Sequence, residues 1–254
     1  MKEKIRNQII DHEQLSIDKE VEKFKDPKIP YKIRKTQLLE NFNLPIPETE
    51  YFKREDIVNL KNRTIERIKL STDPLIIRVA CIPDKLSMPF FYVESNEINI
   101  SHIIREVGSL LDQDGSIVSL ILQDATPKEK ISDKISGRIS FESEKMIPVE
   151  QFLEIYKGSR STGILNNLSK RDPQFMRFVK EAGHFMRPET EFNGKSTITK
   201  LEIKDLYNLL ESYKEKMENV KQVIAKSLDK LEKETLVVFE FSYRNGEIIF
   251  TDFD

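Results

Sequence analysis

Apolar positions along the chain repeat with two periods, one typical of amphipathic helices and one typical of strands. The helical period predicts peripheral helices near the start of the chain and four further helices, over residues 1–26, 31–42, 54–70, 101–112 and 202–231. Shorter apolar runs predict one strand that ends near Phe52 and others over residues 73–84, 89–95, 116–126, 136–143 and 151–158. Because strands alternate with helices and pair as hairpins, the pattern predicts an α+β fold with mostly antiparallel sheets and flanking helices.

The predicted elements divide into two lobes and a helical N-terminal extension. We assign residues 1–30 to the extension, 31–115 to the first lobe and 116–254 to the second lobe. The longest predicted helix lies in the second lobe, where apolar residues keep helical spacing at Leu206, Leu209, Leu210, Tyr213, Met217, Val220, Ile224, Leu228 and Leu231. A hairpin is predicted to follow this helix.

The segment FEFSYRNGEIIFTDFD, residues 239–254, predicts that hairpin, and its loop length decides which side chains share a face. A two-residue loop, Asn245-Gly246, would place Glu240 opposite Thr251 and split the acidic residues between faces. A three-residue loop with Gly246 in a left-handed bulge would place Glu240 opposite Phe250. One face would then carry Glu240, Ser242, Asp252 and Asp254, and the other Phe239, Phe241, Ile249 and Phe253. Because this register separates polar from apolar residues, we predict the three-residue loop.

Three carboxylates on one face repel each other unless a cation neutralises them. Glu240, Asp252 and Asp254 offer hard oxygen ligands without nearby His or Cys, which is the donor chemistry of Mg²⁺. The hairpin therefore predicts a magnesium site. The alternative is a sheet face that is acidic and solvated, with no bound ion.

Composition and charge narrow the classes of partner. The 254 residues include 41 Lys and Arg against 43 Asp and Glu, so the net charge of −2 favours neither nucleic acid nor an anionic membrane surface. The single cysteine, Cys81, excludes an intrachain disulfide and suits a reducing compartment. No apolar run approaches the roughly 20 residues of a membrane span, and the first residues lack a signal-peptide core. We therefore expect a cytoplasmic protein, and its oligomeric state stays open.

Several cations have both a functional and a structural interpretation. Arg78 interrupts an apolar strand, where a charge is costly unless it pairs or faces a ligand. Lys32 lies in a basic surface segment and Lys85 in a loop, so both would be solvated if they bind nothing. Gln123 ends a buried strand and would otherwise satisfy backbone groups. The three histidines are too scattered in sequence to predict a catalytic triad or a metal site.

The order of these segments resembles the ATP-grasp enzymes. The acids of EFSYRNGEIIFTDFD match the positions of the metal ligands in the closing hairpin of that family, with Asp254 in place of the usual Asn. KIRKTQLLENFNLPIPETEYF is similar to the family's entry helix and the strand after it, and DPLIIRVACIPDK to the strand with a phosphate-binding cation. SLILQDAT resembles the strand that leads to the adenine-binding linker. The resemblance spans residues 28–254 and implies a two-lobed ATP-grasp-like fold.

The resemblance also implies roles for individual residues. Lys32 and Arg78 would contact the phosphates of ATP, while Gln123, Asp124 and Ala125 would lie beside adenine. Glu240, Asp252 and Asp254 would hold Mg²⁺. The family's glycine-rich lid is absent between Arg78 and Phe90, so Lys85 would close over the phosphates instead. Arg160, in KGSRS, would hold an anionic acceptor.

Three functions are compatible with this resemblance. The first is an ATP- and magnesium-dependent ligase that joins a carboxylate to an amine through an acyl phosphate. The second is phosphoryl transfer similar to phosphoenolpyruvate synthase and pyruvate phosphate dikinase, whose nucleotide-binding domain has Arg at the position of Arg78; a partner protein would supply the phosphohistidine domain. The third is a degenerate nucleotide-binding or scaffold protein of a complex. The ligase, with a small-molecule acid and amine as substrates, is the leading hypothesis.

Overall fold

The structure is a computed structural model that describes residues 17–70, 73–85, 88–93, 97–125, 135–141, 151–157, 189–192, 196–231, 235, 237–244 and 246–253. The chain forms two compact units. We call residues 27–36 and 46–131 the first-sheet unit, and residues 1–26, 37–45 and 132–254 the hairpin unit. Helix α1 (residues 17–25) belongs to the hairpin unit, and α2 (Tyr31–Asn41) contributes its first half to the first-sheet unit and its second half to the hairpin unit.

The first-sheet unit is built on a four-stranded antiparallel sheet in the order β1-β4-β2-β3. Its strands are β1 (Thr49–Lys53), β2 (Leu75–Cys81), β3 (Phe90–Val93) and β4 (Ile117–Asp124). A 3-10 turn (Arg54–Asp56) and α3 (Ile57–Leu70) follow β1, and α4 (Glu97–Gln113) precedes β4. Sequence analysis assigned β4 to the second lobe. The strand instead pairs with β1 and β2 in the first-sheet unit, where its apolar residues are covered on both faces.

The two faces of this sheet differ in what they bury. Helices α3 and α4 cover one face and form the main core with residues such as Leu60, Ile77, Ile103, Val107, Leu120 and Leu122. The other face carries a small cluster in which Ile33 of α2 packs with Ala80 and Ile121. Since strand residues alternate between faces, Arg78 lies on the α2 side of the sheet, away from the main core.

The hairpin unit contains a second four-stranded antiparallel sheet, in the order β10-β9-β5-β6. Its strands are β5 (Ile135–Phe141), β6 (Gln151–Lys157), β9 (Phe239–Arg244) and β10 (Glu247–Phe253). A separate hairpin pairs β7 (Glu189–Phe192) with β8 (Ser196–Thr199), and α5 (Lys200–Ser212) and α6 (Lys214–Ser227) follow it. The core of this unit contains the fully buried rings of Phe239, Phe250 and Phe253. The prediction of an α+β fold with antiparallel sheets is therefore confirmed.

The helix predicted over residues 202–231 is two helices. The backbone leaves the helical conformation at Tyr213, between α5 and α6, where φ is −101° and ψ is 0°. The second helix ends before Asp229, whose φ of 52° is left-handed, and the N–H of Lys230 donates to the carbonyl of Ala225. Leu228 and Leu231 thus lie beyond the helix, each 55% exposed. A one-residue break leaves the apolar period almost unchanged, which is why the sequence pattern does not reveal it. Among the described helices, none combines the length and apolarity needed to cross a membrane.

Candidate functional site

The β9–β10 hairpin has a shorter loop than predicted. Arg244 pairs with Glu247 and Tyr243 with Ile248, which leaves residues 245–246 as a two-residue loop. Gly246 has a φ of 85°, a conformation that favours glycine. The three-residue loop predicted from the sequence is therefore wrong.

A bulge in β10 nevertheless brings the two acidic residues together. Phe250 pairs with Phe241, but the register shifts at Thr251, so Asp252 is the partner of Glu240. Partners across an antiparallel pair point to the same face of the sheet. Both residues are half-buried. The prediction that Glu240 and Asp252 share a face is thus confirmed, although a bulge, and not the predicted three-residue loop, brings them together.

Core packing explains the bulge. Phe250 and Phe253 are 0% and 1% exposed, yet they are three residues apart, and in a regular strand such residues would point to opposite faces. The extra residue, Thr251, lets both rings pack on Phe239, with ring centroids 6.3 and 6.0 Å from it. Ile249 pairs with Ser242 and is half-buried on the acidic side, so its predicted place on the apolar face is wrong.

The acidic pair lies in a row of charged positions that crosses the whole sheet. The register aligns Glu154 of β6, Arg138 of β5, Glu240 of β9 and Asp252 of β10. A side-chain oxygen of Asp252 also accepts a hydrogen bond from the N–H of Phe253, at 2.9 Å. Arg138 is not among the residues predicted for the site, because the strand that β5 pairs with cannot be identified from the sequence.

These two carboxylates fit a hard divalent cation in their chemistry, since both donors are oxygens and the ion can keep several water ligands. Within the part of the chain that the structure describes, no group of three His, Cys, Asp or Glu residues is arranged to hold a metal ion. The third predicted ligand, Asp254, lies outside the described residues, as does the predicted acceptor-binding residue Arg160. The metal site therefore stays a prediction. Two of its three predicted ligands, Glu240 and Asp252, are partners across β9 and β10.

In the first-sheet unit, Arg78 lies on β2, one of the two inner strands, on the α2 side of the sheet. It pairs in register with Phe90 on one side and Ile121 on the other. The guanidinium carbon of Arg78 lies 5.9 Å from the centroid of the Phe90 ring, a cation–π contact. Arg78 is half-buried, while Phe90 is 61% exposed. This face therefore presents a cation and an aromatic ring together.

Of the three residues predicted to lie beside adenine, Gln123 and Asp124 end β4 and Ala125 follows it, and all three are held by contacts within the protein. The side-chain amide of Gln123 donates to the Thr49 hydroxyl at 3.0 Å, and the N–H of Ala125 donates to the carbonyl of Pro74 at 2.9 Å. A carboxylate oxygen of Asp124 accepts from Arg67 at 2.5 Å. These contacts fix the path of the segment, and its role in binding a base stays a prediction.

The two predicted phosphate-contacting lysines lie in different settings. Lys32 is half-buried in the first turn of α2, next to Tyr31, whose backbone N–H donates to Asp84 at 2.9 Å. Lys85 forms an ion pair with Asp114, with 2.6 Å between Nζ and Oδ2. The hydrogen bonds from Lys85 and Ser116 lower the pKa of Asp114 to about 2, and the same contact with Asp114 raises the pKa of Lys85. To contact a phosphate, Lys85 would have to leave this ion pair.

No family model and no curated protein sequence matches the chain. A search of solved structures does find similar folds. One is D-alanyl-alanine synthetase A from Vibrio cholerae O1 biovar eltor str. N16961, with a TM-score of 0.47 and 11% identity over 88% of this chain and 54% of that one. Another is the D-cycloserine synthetase DcsG, with a TM-score of 0.43 and 11% identity over 86% of this chain and 59% of that one.

A third similar structure is a RimK domain ATP-grasp protein from Sphaerobacter thermophilus DSM 20745, with a TM-score of 0.36 and 12% identity over 86% of this chain and 56% of that one. ATP-grasp is the family that the sequence resembles. The chain spans a little more than half the length of these three structures. Each TM-score is below 0.5, so these likenesses assign no role to residues of this chain.

Proposed function

We propose that the protein is a magnesium- and ATP-dependent enzyme of the ATP-grasp type, which joins a carboxylate to an amine through an acyl phosphate. The observation that carries this proposal is the pairing of Glu240 with Asp252 across β9 and β10. Carboxylate oxygens on neighbouring strands and on one face of a sheet can bind the same divalent cation. The order of the sequence motifs also supports the proposal, because it resembles the order in the ATP-grasp enzymes, in which such a pair holds Mg²⁺.

The proposed roles follow from the chemistry of each side chain. Glu240 and Asp252, with Asp254 as the third predicted ligand, would hold Mg²⁺, which neutralises phosphate oxygens when bound. Arg78 would bind two phosphate oxygens through its planar guanidinium, whereas Lys32 would act as a single charge. Phosphoryl transfer depends mainly on positioning and charge neutralisation, so this set of residues suits it.

A second candidate is a nucleotide-binding protein that does not transfer the phosphoryl group. The ion pair between Lys85 and Asp114 favours it, because the loop that follows β2 has no glycine lid and its lysine is engaged elsewhere. In this case ATP binding would persist while ATP turnover with any acid and amine would be absent.

Titration calorimetry with ATP tests nucleotide binding directly. We expect binding with Mg²⁺ and weaker binding when EDTA removes the ion, because the phosphates then lose a divalent counter-charge. No heat at millimolar ATP, with or without Mg²⁺, would contradict both candidates.

Glu240→Gln and Asp252→Asn test the metal ligands. Each change removes one charge at nearly constant shape, so we expect magnesium-dependent ATP binding to weaken about tenfold or more, with little change in EDTA. Glu247→Gln is the matched control, because Glu247 is an exposed acid of the same strand that pairs with Arg244 near the loop. Equal weakening with and without Mg²⁺ would show that the two acids are structural.

Arg78→Gln tests the phosphate contact. Loss of a charge-assisted, two-oxygen contact is expected to weaken ATP binding about tenfold or more, with a smaller effect on adenosine. Arg105→Gln is the control, because Arg105 is exposed on α4 and donates a hydrogen bond within its own helix, to the carbonyl of Ser101.

Product analysis separates the ligase from the alternatives. With pools of candidate acids and amines, a ligase releases ADP and phosphate, whereas a synthase-type transfer releases AMP. The proposed function is supported if ADP forms only when both an acid and an amine are present. Release of AMP would contradict it and favour the transfer that resembles phosphoenolpyruvate synthase.

A further inference from the structure

Phe90 is an exposed aromatic residue on β3, an edge strand of the first sheet. With 61% of its surface accessible, the ring contributes little to the core, and it is one of the few large apolar residues exposed in the described part of the chain. Its neighbours on β3 behave differently, since Phe91 packs against the main core and Val93 is fully buried. Burial therefore does not explain an aromatic ring at position 90.

The register places Phe90 directly opposite Arg78 on the same face of the sheet. The guanidinium lies 5.9 Å from the ring centroid, within the range in which the negative face of a ring attracts a cation. The other neighbours of Arg78 on this face include Ile76, two residues earlier on β2, and Ile121 on β4. The aromatic ring beside the guanidinium restricts the rotamers of the Arg78 side chain before any ligand binds. Arg78 therefore loses less conformational entropy when it binds a ligand.

We propose that Phe90 is a positioning residue for Arg78, which it holds in the orientation that binds an oligophosphate. This inference rests on the proposed function, because it takes Arg78 as the phosphate contact. The ring does not touch the phosphate in this proposal. It acts by lowering the entropic cost of ordering the guanidinium, so its effect depends on Arg78.

Strand β3 supplies a matched control. Tyr92 lies on the same face as Phe90, two residues further along the strand, and it pairs with Ile76 instead of Arg78. Tyr92→Leu therefore also removes an aromatic ring on the same strand and face, at a position that does not pair with the cation.

The test compares Phe90→Leu, Phe90→Tyr and Tyr92→Leu by titration calorimetry with ATP, ADP, AMP and inorganic tripolyphosphate. We expect Phe90→Leu to weaken binding of ATP and tripolyphosphate about two- to fivefold, with a smaller effect on AMP. Phe90→Tyr keeps the ring and should bind as the unchanged protein does. Tyr92→Leu should have no selective effect on the longer phosphates.

A double variant distinguishes positioning from a general structural role. If Phe90 acts through Arg78, then Phe90→Leu in an Arg78→Gln background should cause no further loss of ATP affinity. Additive losses, or equal weakening of all four ligands by Phe90→Leu, would overturn the inference.

The same titrations separate this inference from the proposed function. If the protein binds tripolyphosphate through Arg78 and Phe90 but does not bind ATP, the proposed function is refuted and the inference is retained. ATP binding that is unchanged in Phe90→Leu would retain the proposed function and refute the inference. Binding of none of the four ligands would refute both.

Discussion

Arg67 shows what a buried charge requires from its surroundings. Only 7% of its side chain is exposed, and its guanidinium lies 3.1 Å from Glu50 and 2.5 Å from Asp124. Neither acid is near Arg67 in sequence. The ion pair therefore joins α3 to β1 and to the end of β4, the segment predicted to lie beside adenine. A buried cation of this kind is tolerated because its partners compensate its desolvation.

Arg67→Met should destabilise the protein by about 2–3 kcal/mol, because it leaves Glu50 and Asp124 without their shared cation. Urea unfolding followed by circular dichroism measures this loss. Arg63→Met is the control: Arg63 also pairs with Glu50, but 34% of its side chain is exposed, so water screens the pair and the loss should be smaller. A larger loss for Arg63→Met would contradict this account.

Asp114 makes the stability of the folded protein depend on pH, and the direction of this dependence follows from its pKa. Its pKa of about 2 in the folded state lies below its ordinary value of 3.8, because Lys85 and Ser116 hydrogen-bond to the charged form. The folded state therefore binds this proton less readily than the unfolded state. The contribution of Asp114 to stability is complete above about pH 4 and is lost as the pH falls toward 2.

Asp114→Asn should remove that dependence. Urea unfolding between pH 2 and pH 6 should show a flatter decline in the free energy of unfolding for the variant than for the unchanged protein. Asp112→Asn is the control, since Asp112 is an exposed acid of the same segment. An identical pH profile for Asp114→Asn and the unchanged protein would contradict the prediction.

Single residues differ in how far the sequence predicts them. Arg78 could be placed on a strand and recognised as unusual, because a charge within an apolar run is visible in the sequence alone. Its cation–π contact with Phe90 depends on the register between β2 and β3, and the ion pairs of Arg67 depend on contacts distant in sequence. The sequence thus identifies a residue with an unusual environment, while its partners follow from the tertiary structure.

At the scale of elements, the hairpin shows that loop and register must be determined together. The three-residue loop was predicted because, of the two loop lengths compared, it is the one that separates polar from apolar residues. The structure combines a two-residue loop with a bulge at Thr251, which still brings the two acidic residues onto one face. The spacing of Ile248, Phe250 and Phe253, which are all buried, is the signal that could have predicted the bulge.

Gly246→Ala tests the loop. The φ of 85° is strained for any residue with a Cβ, although a Cβ there would meet no atom within 4 Å. We expect a loss of about 1–2 kcal/mol in urea unfolding, from backbone strain alone. Gly115→Ala is the matched control, because it also has open space and its φ lies outside the left-handed region. Equal effects at the two positions would argue against a two-residue loop with left-handed Gly246.

At the scale of the whole molecule, sequence periodicity identified most elements, and sheet membership was harder to predict. An apolar strand such as β4 fits the centre of either sheet, so only its pairing with β1 and β2 assigns it to the first-sheet unit. The proposed functional residues divide in the same way. Arg78 and Lys32 belong to the first-sheet unit, and Glu240 and Asp252 belong to the hairpin unit.

This division leads to a prediction for hydrogen exchange measured by mass spectrometry. If the proposed function is correct, ATP with Mg²⁺ should slow amide exchange in peptides from both units, around β2 and β3 and around β9 and β10. ATP in EDTA should protect the first-sheet peptides more than the hairpin peptides, because the acids then lack the ion that couples them to phosphate. Glu240→Gln should abolish protection of the hairpin and leave part of the protection around Arg78. Protection confined to one unit with Mg²⁺ present would show that the acids and Arg78 do not serve the same ligand.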